Sequence, residues 1–199
     1  MTSAREAILQ EIAKAHAAER AVPDLTLPAS PGDAKAAFVA KAKASLAAVH
    51  EIAAPAEAPA CIASILAAGG LAPELHIPDG SPLNALPWRL APALRLVTAA
   101  PGGEDSAFAA ADYGIAETGT LVFFSGPNRP SSWHFRPGRE FVLLLRERVV
   151  PRLEDVLAAQ RPIPSTLNLV TGPSRTADIE QTIELGAHGP REVHILIAG

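Results

Sequence analysis

Two unbroken apolar runs, Phe141-Val142-Leu143-Leu144-Leu145 and Ile195-Leu196-Ile197-Ala198, decide how this chain folds. A strand with one wet face alternates apolar and polar residues, whereas a strand covered on both faces does not. Both runs therefore read as strands of a sheet buried on its two sides. Working outward, further strands are predicted at 74–77, 94–98, 120–124 and 167–170. Helices are predicted at 56–70, 104–111 and 153–159, with a helical turn after Ser174. Strands and helices that alternate in this way need crossover connections, so the sheet is predicted to be mainly parallel and the fold class α/β.

The N-terminal third reads differently. Ser3 followed by Glu6 is a capping-box pattern, and Ile8, Leu9, Ile12 and Ala15 recur at helical spacing up to about residue 19. Pro23, Pro28 and Pro31 make an extended linker. Asp33 caps a second predicted helix carrying Phe38, Val39, Ala42, Leu46, Val49 and Ile52 on one side. These alanine-rich helices carry no chemical motif. Residues 1–55 are read as a helical extension and 56–199 as the α/β domain.

Composition bounds the function classes. The chain has 199 residues, 48% of them hydrophobic and 19% charged, with a net charge of −4. It has no basic stripe, which disfavours nucleic acid as a partner. The first residues lack the apolar core of a secretory signal, and no run of about 18 apolar residues occurs. The expectation is a cytoplasmic protein with no membrane span. Cys61 is the single cysteine. It cannot form an internal disulfide or a four-cysteine metal site, and it reads as a small buried hydrophobe. No His-x-x-x-His, Cys-x-x-Cys or Asp-x-Asp pattern marks a metal site, and no Gly-x-Gly-x-x-Gly marks a dinucleotide site.

Three clusters carry chemistry. Gly114-Ile115-Ala116-Glu117-Thr118-Gly119-Thr120 leads into an apolar strand. Glu117 is a candidate base, nucleophile or cation ligand, and Thr118, Gly119 and Thr120 are candidate ligand contacts. The same residues also fit a tight turn that satisfies its own backbone. Thr171-Gly172-Pro173-Ser174-Arg175-Thr176-Ala177-Asp178-Ile179-Glu180 follows a strand. Read as Gly-Pro opening a helical turn, it makes Gly172, Pro173, Ser174, Arg175, Thr176 and Asp178 an anion site for a carboxylate or phosphate. The alternative is a capped helix in which Arg175 pairs with Asp178 or Glu180. Gly186-Ala187-His188-Gly189-Pro190 places His188 among small residues, a candidate proton carrier or a structural histidine. Trp133, His134 and Arg136 lie in a proline-flanked loop read as a lid or a covered surface. His194 reads as a satisfied core or edge histidine.

Taken in order, Ala-Glu-Thr-Gly-Thr before a strand, the decapeptide from Thr171 to Glu180, Gly-Ala-His-Gly-Pro and a final apolar strand resemble the LUD-domain family, and within it the short lactate-utilization branch. The likeness is good over residues 90 to 199, and the decapeptide is its strongest part. The segment 132–141 departs from the family pattern: it is longer and lacks the family's histidine in register. The resemblance implies a Rossmann-like three-layer α/β/α sandwich resembling the ribose-phosphate isomerase/CoA transferase fold. It implies a subunit of a system that oxidises L-lactate to pyruvate beside iron–sulfur partner proteins, with the clusters on those partners and no cofactor intrinsic to this chain.

Three functions remain open on the residues. In the first, Ser174, Arg175 and Thr176 bind a small carboxylate while Glu117 or His188 handles a proton. The chain supplies no electron acceptor, so alone it is expected to oxidise no lactate. In the second, it is a non-catalytic scaffold for the iron–sulfur subunits, docking through its N-terminal helices. In the third, suggested by fold analogy, it is a sugar-phosphate isomerase or acyl-transferase-like enzyme with Glu117 as base or nucleophile.

Overall fold

A computed structural model describes residues 3–16, 30, 32–160, 162, 164–177, 183–185 and 188–199. Helix α1 (Ala4–His16) opens with the expected capping box: Ser3 N–H donates to Glu6 at 2.8 Å, and Glu6 N–H donates to Ser3 Oγ at 3.2 Å. Helix α2 (Ala34–Ala44) begins at Asp33, whose side chain accepts from the Ala36 N–H. It does not run to residue 52 as its apolar spacing predicted. Leu46 adopts a left-handed φ of 67°, and Ala47 N–H returns to Ala42 O at 3.0 Å, which ends the helix. Strand β1 (Ala48–Ile52) follows. Val49 and Ile52 are β-branched and belong to this strand rather than to a helix face.

Next come α3 (Ala58–Ala68), β2 (Glu74–His76), β3 (Arg95–Val97) and β4 (Ser106–Ala110). β4 corrects the helix predicted at 104–111. Its alanines favour a helix in isolation, but hydrogen bonding between two neighbouring strands outweighs that preference. β5 (Tyr113–Ile115), which the sequence reading missed, and β6 (Thr120–Phe124) form a hairpin. The chain continues through β7 (Arg139–Leu145), β8 (Val149–Val150), α4 (Leu153–Ala159) and β9 (Leu167–Val170). β10 (Arg175–Ala177), β11 (Ile183–Leu185) and β12 (Glu192–Ala198) complete it.

Six strands form one sheet in the order β1-β12-β7-β4-β2-β3, every neighbouring pair parallel. β7 and β12, the two apolar runs, lie adjacent near its centre. Their side chains divide between two cores. Phe141, Leu143, Leu196 and Ala198 pack with Ile62 and Leu66 of α3. Val142, Leu144, Ile195 and Ile197 pack with Phe38 and Ala42 of α2 and with Leu121 and Phe123 of β6. Unbroken apolar sequence is thus what a strand needs when both of its faces are covered.

The layer on the second face is partly a sheet itself, ordered β8-β5-β6-β9. Its outer side is covered by α4 through Val156, against Ile115 and Val122. The architecture is Rossmann-like α/β, with a small mixed sheet standing where further helices would otherwise pack. The boundary expected at residue 55 does not divide it. β1 pairs with β12 along its whole length, and Phe38 of α2 is fully buried. Only α1 stands apart, with Ile8, Leu9 and Ile12 exposed.

Candidate functional site

The β5–β6 hairpin turns through Ala116, Glu117, Thr118 and Gly119, with Gly119 N–H donating to Ile115 O at 2.9 Å. Gly119 has φ 71°, and a Cβ there would sit 2.4 Å from the Ala42 backbone nitrogen. Gly172, just past β9, has φ 70°, and a Cβ there would sit 2.0 Å from Ser45 O. Both glycines therefore press their turns against the end of α2, which a side chain would prevent. β6 and β9 are paired with Leu121 opposite Val170, which brings the two turns side by side.

Hydroxyls join them. Thr118 Oγ1 lies 2.7 Å from Thr120 Oγ1, which lies 2.7 Å from Thr171 Oγ1. Thr120 is buried, whereas Thr118 and Thr171 are exposed at the ends of this chain. The third cluster joins on the other side. Ser174 N–H donates to Pro190 O at 2.8 Å, and a Cβ on Gly189 would sit 3.2 Å from Ser174 Cβ. These contacts place the 118–120 turn, the 171–174 segment and the 189–190 loop side by side, with Gly119, Thr120, Gly172, Pro173 and Pro190 buried beneath exposed Thr118 and Thr171. Glu117, Arg175 and His188 are exposed around them.

One expectation fails. No helix follows Ser174: Arg175–Ala177 is strand β10, antiparallel to β11 with Thr176 opposite Glu184. A helix start would have offered several unpaired amides, but a strand spends its amides on its neighbour. Any anion held here is held by side chains and by the turn at 171–174. Asp178 and Glu180, the expected partners of Arg175, lie outside the described residues, as does the side chain of Thr176.

A second constellation went unread in the sequence. Between β4 and the 125–134 loop lies a cavity of about 140 Å³. At the mouth, Arg129 donates from Nη1 and Nη2 to the two Asp112 carboxylate oxygens, each at 2.7 Å, and from Nη2 to Ala110 O at 2.8 Å. Asn128 donates to Gly80 O at 3.1 Å. These bonds fasten the loop as a roof. Deeper in, His134 Nδ1 and Glu140 Oε1 are 2.6 Å apart, and the imidazole lies on the Phe123 ring with centroids 4.0 Å apart. Glu140 is 1% exposed, and its Oε2 has no hydrogen-bond partner. Burial pushes the Glu140 carboxyl up, and the His134 contact opposes that. The only sequence signal was the proline-flanked loop with Trp133 and His134; its partner Glu140 sits at the head of an apolar strand and gave none.

His194 lies on the interior strand β12, held between His50 Nε2 and Glu192 Oε2, each at 3.2 Å. Cys61 is half-buried, and desolvation raises its thiol, which leaves it a poor nucleophile at neutral pH. Among the described residues no group of three or more His, Cys, Asp or Glu side chains is placed to hold a metal ion, and no helix is long and apolar enough to cross a membrane.

Comparison with known proteins adds a family. A family model described as the LUD domain matches residues 33–198. An uncharacterized protein of Neisseria meningitidis is 36% identical over 96 residues, 46% of this chain and 41% of that protein. Lactate utilization protein C of a Geobacillus species is 33% identical over 93 residues, 43% of this chain and 39% of that protein. Lactate utilization protein C of Halalkalibacterium halodurans is 35% identical over 95 residues, 44% and 41% of the two chains. The match thus spans about two fifths of the length of these relatives. A crystal structure of a DUF162-family protein from Deinococcus radiodurans superposes with a TM-score of 0.61 at 19% identity, covering 86% of this chain and all of that one. That likeness shows the fold.

Proposed function

The chain belongs to the LUD-domain family, and we propose that it serves in lactate utilization, as a subunit of a cytoplasmic system that oxidises L-lactate to pyruvate beside iron–sulfur partner proteins. Its contribution in this reading is to bind a small carboxylate on the surface joining the 117–120 turn, the 171–175 segment and the 188–190 loop. The observation that carries the reading is the hydroxyl chain Thr118–Thr120–Thr171, which ties two of those segments together beside Ser174. Exposed hydroxyls and a guanidinium are the groups that hold a hydroxy acid by its carboxylate and its alcohol. Glu117 or His188 at the rim supplies the group that exchanges a proton.

The electrons must leave through other chains. A single cysteine cannot ligate a four-cysteine cluster, so in this reading any iron–sulfur centres sit on the partners. The purified chain alone is expected to turn over no lactate. Isothermal titration with L-lactate and pyruvate tests the binding step. Wild type is expected to bind one of them, and Arg175→Ala to weaken it at least tenfold. Equal affinity in wild type and Arg175→Ala removes this site from the account. If the chain only scaffolds its partners, neither ligand binds at all.

A further inference from the structure

The cavity beneath the 125–134 loop shares no lining residue with the turn surface, so what it binds is a separate question from the lactate reading. We propose that it is a binding site for a small neutral aromatic molecule carrying a ring hydroxyl, with the hydroxyl seated at the His134–Glu140 pair.

The walls select the body of the ligand. Ala107, Ala109 and Ala110 of β4 give a low, flat side, and Phe123, Pro130 and Trp133 supply rigid apolar surface. A planar ring fits between such faces and gains from aromatic contact.

The deep end selects the head group. His134 and Glu140 are 7% and 1% exposed, and they bond to each other through Nδ1 and Oε1 alone. Glu140 Oε2 is buried and has no partner. A buried polar atom without a partner is destabilising, and a ligand group that bonds to it relieves the cost. The imidazole presents Nε2 as donor or acceptor according to the proton count of the pair. A hydroxyl matches both states because it donates and accepts.

The mouth argues against a charged ligand. Arg129 already forks onto Asp112 through two bonds, and Asp112 Oδ2 also accepts from Phe124 N–H at 2.7 Å. An anion would have to break that fork. A cation would find only Asp112 and Glu140, already engaged by Arg129 and His134. A neutral ring needs neither change.

Phenol is the probe. Titrated into the full-length isotope-labelled chain, it is expected to bind with a Kd on the order of 1 mM, as suits so few atoms. Its shift changes should centre on Ala107, Ala109, Phe123 and Trp133. Toluene, which lacks the hydroxyl, should bind about tenfold more weakly. Ala109→Leu, which fills the cavity and leaves the pair intact, should abolish phenol binding, and Glu140→Gln should weaken it about fivefold. Should Glu140→Gln not fold, Ala109→Leu decides. Shift changes located elsewhere, equal binding of toluene, or unchanged phenol binding by Ala109→Leu would each overturn the site. None of these outcomes touches lactate binding at Arg175, so the two readings fail independently.

Discussion

Single residues set how closely the turns approach the end of α2. Gly119 and Gly172 both have positive φ and both face backbone atoms with no room for a methyl group. Gly119→Ala is expected to lower stability by about 2–4 kcal/mol, from left-handed strain and displacement of the Ala42 backbone together. Urea denaturation measures it. Gly70, with φ 62° and open space around it, should cost less when replaced by Ala, about 1 kcal/mol. Among the lowered carboxylates Glu51, Glu104 and Glu192, the acid limb of stability draws most on Glu192, which is partly buried. The Arg139 guanidinium holds Glu192 down to about 2 from an ordinary 4.5. A carboxyl lowered on folding stabilises the fold above its unfolded value, and that contribution disappears as pH falls from 4.5 toward 2. Glu140, raised by burial, works in the opposite sense, so wild type alone shows the sum. Glu192→Gln should flatten the fall in Tm between pH 4.5 and 2 relative to wild type; parallel curves would contradict the assignment.

Elements differ in how openly the sequence declares them. β7 and β12 were legible because double burial leaves only apolar residues. α3 was legible because Gly69-Gly70 stops it. α2 was overextended because Val49 and Ile52 happen to continue a helical spacing, and nothing in Leu46 announces a left-handed φ. β4 was misread because Ala-rich sequence favours a helix, while the force that makes it a strand lies in β2 and β7, remote in sequence. The same distance hid the cavity: its roof, wall and floor come from 125–134, β4 and β7. The turn surface was half legible. Its glycines and hydroxyls stood out as motifs, but the expected helix start is a strand. α1 invites a test of independence. Its Ile8, Leu9 and Ile12 are 60%, 49% and 49% exposed, so the helix adds little to the core. Removing residues 1–30 should leave Tm within about 2 °C by calorimetry, and a larger fall would show that α1 packs on the domain.

At the scale of the whole molecule, a Rossmann-like α/β body carries the proposed role in lactate utilization. The six-stranded sheet is scaffold: the core on its α2 face holds the β5–β6 hairpin and the end of β9 against α2. The proposed carboxylate site lies on the turns, where rigid elements present exposed side chains. The most direct test is lactate-dependent electron transfer in cell extract from a strain lacking this chain, with purified partners retained and the chain added back. The account predicts that wild type restores the activity and that Arg175→Ala restores less than a tenth of it, while still assembling with the partners by size-exclusion chromatography. Full restoration by Arg175→Ala, or no restoration by wild type, would contradict it.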